Sequence, residues 1–192
     1  MIQELIRRNR SYRRFYQDFK IEHETLTELV NCARLSASAK NFQPLKYILA
    51  CDSKHNDLIF PNLAWAGFLK DCVGPKVGEH PSGYIIILSD NKIQSHRVNC
   101  DLGIACQSIL LGATEKGFGG CIIAAVNKTE LRKSLNISDE YEIQLVIAIG
   151  KPKETIVIDE IDNEESTKYW REDDGTHHVP KRKLEDIILE LK

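Results

Sequence analysis

The chain has 192 residues, of which 42% are hydrophobic and 28% charged, a globular composition that excludes a wholly disordered or collagen-like polypeptide. Against 28 acidic residues stand 26 lysines and arginines, and the net charge of −2 implies no generic adhesion to nucleic acid or to an anionic membrane. At ~100–200 residues per domain, the length predicts one domain over residues 1–192, large enough to bury a core without staples.

No apolar run reaches the ~18–20 residues that span a bilayer, and the N-terminus lacks the apolar stretch of a secretion signal, so the chain reads as cytoplasmic. Between Arg7 and Arg14 lie five of its ten arginines. Leu26, Leu29, Val30 and Ala33 predict a helix from about Glu24 to Leu35, with Thr25 and Glu28 spaced as a capping box. Tyr47–Cys51, Tyr84–Leu88, Cys121–Ile123 and Gln144–Ile149 read as strands, the second introduced by the turn signal Pro81-Ser82-Gly83. Between them, Val98–Glu115 reads as a helix with a stripe of Leu102, Ala105, Cys106, Ile109, Leu110 and Ala113. Ile104 and Leu111 fall off that stripe, so this helix is either central to the core or covered by a second subunit. Strands alternating with helices predict a mixed α and β domain. Residues 151–180 read as a polar arm with one strand-like piece at Thr155–Ile158, lying over the body or over a partner. Leu184, Ile187, Ile188 and Leu191 predict a final helix with Pro180 in its first turn.

Six cysteines (Cys32, Cys51, Cys72, Cys100, Cys106 and Cys121) are scattered without a C-x-x-C pair, which argues for small buried hydrophobes rather than disulfides or zinc, and no metal site is predicted. The chemistry lies elsewhere. Clustered arginines in a net acidic chain call for an anion, because the guanidinium fork matches phosphate oxygens, and Ser11 adds a hydroxyl. Lys181, Arg182 and Lys183 would occupy the first turn of the last helix, where the dipole disfavours cations unless a bound phosphate reverses the sign. The segment Ser36-Ala37-Ser38-Ala39-Lys40-Asn41-Phe42-Gln43-Pro44 combines small residues with amides that suit a heterocycle bearing imide and carbonyl edges. Gly117-Phe118-Gly119-Gly120 is neither a dinucleotide fingerprint nor a P-loop and reads as a helix-to-strand connection.

Taken in order, these segments resemble the nitroreductase family of FMN-dependent oxidoreductases. Arg10-Ser11-Tyr12-Arg13-Arg14-Phe15 resembles the family's R-S-x-R-x-F element, and Ser36–Pro44 its A-P-S-A-x-N-x-Q-P loop. Asp101–Gln107 followed by Gly117-Phe118-Gly119 resembles the D-x-G-x-A-x-Q helix and G-x-G. Ile149-Gly150-Lys151-Pro152 and Val179-Pro180-Lys181-Arg182 resemble its I-G-x-P strand end and the C-terminal P-K-R of its shorter members. The resemblance implies an α+β fold with a mixed, mostly antiparallel sheet wrapped by helices, built as an intertwined homodimer with FMN at the subunit interface.

By the same resemblance, Arg10, Ser11 and Arg13 would hold the FMN phosphate, or one arginine would lie at the pyrimidine edge, and Lys181 and Arg182 would complete the phosphate site. Ala37, Ser38, Ala39, Asn41 and Gln43 would line the flavin ring from the other subunit, and the backbone of Ile123, Ala124 and Ala125 would approach its reactive edge. Asn9, Lys40 and Leu45 depart from the family pattern, the last standing where a Trp is usual. The implied activity is reduction of an electrophilic acceptor, such as a nitroaromatic or quinone, with NAD(P)H as donor in alternating half-reactions. The cofactor carries that chemistry, so no catalytic side chain is expected. Trp65, Phe68 and Trp170 are candidates for the acceptor pocket or for plain packing. The rivals are a biosynthetic or dehalogenating enzyme of the same superfamily, and a non-catalytic module whose arginines dock an acidic partner or nucleic acid.

Overall fold

The computed structural model describes residues 1–69, 74–93 and 95–191, so Cys72 lies outside the described residues. Four strands form one antiparallel sheet: β1 (Leu45–Ala50), β2 (Gly83–Asp90), β3 (Gly119–Ile123) and β4 (Tyr141–Gly150), in the spatial order β1-β2-β4-β3. Both faces of this sheet are covered. α2 (His23–Arg34) and α4 (Val98–Glu115) pack on one side, and α3 (Ser53–Ile59) and α5 (Lys128–Leu135) on the other. That is why β2 reads as an unbroken apolar run. Ile85 and Ile87 face α2 and α4, while Tyr84, Ile86 and Leu88 face Ile59 and Leu131.

One extra residue in β4 re-aims its first half. Ile87 pairs with Leu145 but Leu88 pairs with Ile143, which leaves Gln144 as a bulge. Without it, alternation would put Ile143 on the α4 side with Leu145 and Ile147; instead it is buried on the opposite face with Leu88. Gln144 turns its amide to donate to the Ser89 hydroxyl at 2.7 Å.

α4 spans the residues predicted for it, and its stripe Leu102, Ala105, Cys106, Ile109, Leu110 and Ala113 is buried. Ile104, off the stripe, is 39% exposed. α2 starts one residue earlier than expected, with Glu22 as N-cap, and no side chain caps it. The predicted capping box therefore does not form: Thr25 lies inside the helix, and Glu28 pairs instead with Lys116 at 2.6 Å.

Glycines let the N-terminal segment run along the sheet edge. After α1 (Ile2–Arg8), Ser11 bridges to Gly120, and the Tyr12 N–H donates to the Gly120 carbonyl at 3.0 Å. A Cβ on Gly119 would stand 2.4 Å from the Tyr12 ring, so a side chain there would displace the segment. Phe15, fully buried, then bridges to Pro152.

The arm, expected to hold one strand-like piece, carries three strands. β5 (Ile156–Ile161), β6 (Trp170–Arg171) and β7 (His177–Arg182) form a second sheet in the order β5-β7-β6, with β5 and β7 parallel. This corrects the reading of the C-terminus. Pro180, Lys181 and Arg182 belong to β7 rather than to a helix, and α6 is one turn, Leu184–Ile187. So short a helix has little intrinsic stability, and its apolar residues stay largely uncovered among the described residues; Leu184 and Ile187 are 68% and 62% exposed.

Candidate functional site

Among the described residues, two cavities that border α4 carry predicted site residues. The first, of about 290 Å³, lies where the N-terminal segment meets β7 and is lined by Arg10, Ser11, Arg13 and Lys181, with Asn9, Gln107, Leu110, Ile122, Tyr169, His177 and Val179. Every charged residue in this lining is a cation. The alternation of β7 explains which C-terminal residues reach it. His177, Val179 and Lys181 face the cavity, whereas His178 and Arg182 face away. His178 stacks on Trp170 at 4.8 Å and meets Asp159 at 3.0 Å, and Arg182 donates to the Asn163 carbonyl. Cations from both ends of the chain thus converge, but through a strand, and the helix-dipole argument does not apply.

The five N-terminal arginines divide by local geometry. Arg7 and Arg8 lie on exposed α1, and Arg14 turns away to the buried carboxylate of Glu79, which also receives Lys153. Arg10 caps α1: it donates to the carbonyls of Asn9 at 2.6 Å and Ile6 at 2.8 Å, acceptors that the end of a helix leaves open. Burial lowers its guanidinium below the ordinary value. Arg13 lies 4.9 Å above the Tyr169 ring and donates to the Ser11 carbonyl at 3.2 Å. Its backbone N–H is held by Glu154, whose carboxylate also accepts from Arg171 at 2.7 Å. That carboxylate, 1% exposed, ties the N-terminal segment to the sheet carrying His177 and Lys181.

The second cavity, of about 250 Å³, is lined by Ala37, Ser38 and Gln43 together with Ser36, Pro44, Tyr47, Asp101 and Ala105. Asp101, in the first turn of α4, is 3% exposed and organises the loop. It accepts from the Ser38 hydroxyl at 2.9 Å and from the Ala39 N–H at 2.8 Å, and Ser38 in turn accepts from the Gln43 N–H at 3.0 Å. So held, the loop keeps Lys40, Asn41 and Gln43 in left-handed backbone, at φ 49°, 56° and 50°. Such conformations cost ~1–3 kcal/mol each in non-glycine residues and persist where surrounding contacts enforce them, as at binding sites. Burial, with Cys106 and Asp101 nearby, pushes the Tyr47 hydroxyl up to about 12.

The two cavities share no lining residue. At ~3.6 residues per turn, Asp101 and Ala105 project from one side of α4, and Gln107 and Leu110 from the other. The helix stands between the amide loop and the cationic pocket of the same chain. Asn41 is exposed and, with Ala39, lines neither cavity. Ile123, Ala124 and Ala125 also line neither: Ile123 is buried on the α3 side of the sheet, and the Ala125 carbonyl is taken by the Ala64 N–H. Their neighbour Ile122 faces the cationic pocket instead, because successive strand residues point to opposite faces. Trp65 is buried in the core, while Phe68 and Trp170 are exposed on the outer surface.

Asp101, Glu154, Tyr169 and His177 were not singled out as site residues by their sequence context. Asp101 had a signal, as the first residue of the D-x-G-x-A-x-Q resemblance and the charge that precedes a stretch uncharged from Leu102 to Thr114; the other three have no such mark. Among the described residues, no group of three or more His, Cys, Asp or Glu could hold a metal, and no helix is long and apolar enough to cross a membrane.

The model of the Nitroreductase family matches residues 6–151. A curated relative from Archaeoglobus fulgidus, named "Putative NADH dehydrogenase/NAD(P)H nitroreductase", is 25% identical over 148 residues, 73% of this chain and 80% of its own. Among solved structures, a nitroreductase family protein from Clostridium novyi is 25% identical with a TM-score of 0.66, covering 80% of this chain and 86% of that one. An FMN-dependent nitroreductase from Clostridium difficile shares the fold at 23% identity and a TM-score of 0.63, over 91% of this chain and 94% of its own. The family match ends before β5, so His177 and Lys181 lie beyond it.

Proposed function

The chain belongs to the nitroreductase family, and from that premise we propose that it is an FMN-dependent oxidoreductase that uses NAD(P)H to reduce an electrophilic acceptor such as a nitroaromatic or quinone. The observation that carries this reading is the all-cationic pocket assembled from Arg10, Arg13 and Lys181, with Ser11 beside them. This donor set fits a phosphoryl tail: two guanidinium groups, an ammonium and a hydroxyl, with no acidic lining residue to repel it. The names of the relatives from A. fulgidus and C. difficile agree with the donor and the cofactor. When bound, the flavin would supply hydride acceptance from the nicotinamide and its onward transfer to the acceptor.

The chain's own residues bind and orient. Arg13, steadied on Tyr169 and by Glu154, and Lys181 would neutralise the phosphoryl charge; Arg10 would contribute the donors left after capping α1. Ala37, Ser38, Ala39, Asn41 and Gln43 would line the ring, on the loop that Asp101 stiffens. Because α4 separates this loop from the cationic pocket, a complete site requires two chains, with the loop of one meeting the arginines of the other. A homodimer of single-domain subunits, with residues 151–180 reaching the partner, meets that need. It would also cover Ile104 on α4, Ile2 and Ile6 on α1, and the C-terminal Leu184, Ile187, Ile188 and Leu189, all exposed in one chain.

Purified protein should be yellow, release FMN on denaturation and oxidise NAD(P)H when an acceptor is supplied. Arg13→Ala with Lys181→Ala should weaken FMN binding by ~100-fold or more, two charge-assisted contacts at ~1.5–3 kcal/mol each, and riboflavin binding little. Equal loss for both flavins would remove the phosphate from this pocket. Ile104→Glu leaves the single chain's core untouched and should convert dimer to monomer in light scattering, with loss of flavin. A monomeric wild-type protein that retains flavin would sink the shared site.

A further inference from the structure

One polar group facing the cationic pocket has no hydrogen-bond partner among the described residues. His177 is 0% exposed, yet neither Nδ1 nor Nε2 makes a hydrogen bond. A neutral imidazole carries one donor and one acceptor, and leaving both unmade in the interior is unfavourable. The backbone gives no reason for it: the His177 N–H bonds the Thr155 carbonyl at 2.9 Å, so strand pairing alone would admit an apolar side chain here.

The surroundings oppose a charge on this ring. Its face packs on Tyr169 at 5.2 Å, the ring over which Arg13 sits. Arg14 approaches from the N-terminal segment, Arg171 from β6, His178 is next on β7, and Lys181 lies on the same face of that strand. The buried carboxylate of Glu154 is already committed to Arg171 and the Arg13 N–H. Burial first, then Arg13, Arg171, His178 and Arg14, lower its pKa to about 4, so the ring is neutral at physiological pH. The charged side chains that line the pocket beside His177, Arg10, Arg13 and Lys181, are all cations and favour the arrival of an anion, and the imidazole is a group whose own charge can respond.

We propose that His177 is a ligand of the phosphoryl group in this pocket and takes up a proton from solvent as the dianion enters, its ring N–H donating to a phosphoryl oxygen. The inference rests on the reading that the pocket holds the FMN tail. No bond in the ligand breaks; one proton passes from buffer to the free ring nitrogen. A bound-state pKa above the free-state value means that this contribution to affinity grows as pH falls through the bound-state value and levels off below about 4. Within that window, one proton per ligand corresponds to about a tenfold change in affinity per pH unit. The second ionisation of the phosphate, near pH ~6, acts in the opposite sense and is common to every variant.

The test is a calorimetric titration of the full-length chain, freed of flavin, with FMN and with riboflavin at about pH 6, in two buffers of different ionisation enthalpy. The wild type should take up more protons per FMN than His177→Gln, the difference approaching one, and the two should not differ with riboflavin. Equal proton counts, while FMN still binds more tightly than riboflavin, would overturn the role of His177 and leave the FMN reading standing. Equal affinity for the two flavins, or no binding of either, would overturn both. An NMR titration of the wild-type ring needs no substitution: its pKa should rise from about 4 on saturation with FMN, and a value that stays put refutes the proposal.

Discussion

Glu154→Ala is expected to destabilise the protein by about 3–5 kcal/mol, because it strands a buried charge. The carboxylate is 1% exposed and its partner Arg171 is 13% exposed, with the Arg171 Nε already lacking an acceptor. Removing Glu154 leaves that guanidinium uncompensated and the Arg13 N–H unpaired. The local consequence matters as much as the global one. Glu154 joins the Arg13 N–H to Arg171 on β6, so the two walls of the cationic pocket should loosen, held then by the Arg13–Tyr169 contact. FMN affinity should fall further than riboflavin affinity. Glu154→Gln, which keeps an acceptor for one donor, should fall between wild type and alanine. Urea denaturation and flavin titration check both effects; a loss below about 1 kcal/mol would mean that the pair is solvated rather than buried.

Asp101→Ala should act at the other cavity. Two hydrogen bonds to a buried carboxylate, at ~1.5–3 kcal/mol each, predict a loss of about 3 kcal/mol or more. The left-handed residues Lys40, Asn41 and Gln43 would then lose the contacts that enforce their conformation. Hydrogen exchange in residues 36–44 should accelerate while the central sheet stays protected. Riboflavin and FMN should lose affinity together, since this loop is proposed to hold the ring. The contrast would separate two proposed roles, Glu154 acting on the tail and Asp101 on the ring. If Asp101→Ala left riboflavin binding intact, the loop would not line the flavin.

Much of the architecture was legible without coordinates. β2 announces itself because burial on both faces demands apolar residues at nearly every position, and α4 because its buried stripe lies in a stretch without charge from Leu102 to Thr114; such runs stand out from a chain that is 28% charged. The bulge at Gln144 was not legible, since an inserted residue changes the facing of Ile143 without changing the composition of the strand. The last helix was misread for a related reason. Leu184, Ile187, Ile188 and Leu191 carry helical spacing, yet spacing has force only where a surface receives the apolar face, and none does among the described residues of one chain.

The candidate site divides along the same line. Residue types by themselves determined that an arginine-rich segment suited to an anion, a small-residue amide loop and a basic C-terminal stretch exist, because the chemistry of guanidinium, amide and ammonium groups is local. Tertiary structure decided which members of each segment take part. β7 alternation turns Lys181 inward and Arg182 outward, helix capping occupies Arg10, and Glu79 draws Arg14 away. It also decided that Glu154 and His177, remote in sequence from the arginines and without a local signature, are the groups that hold the pocket together and face into it. The physical reason is burial: a carboxylate or an imidazole acquires such a role only when folding strips it of water and leaves it the neighbours that the topology brings near.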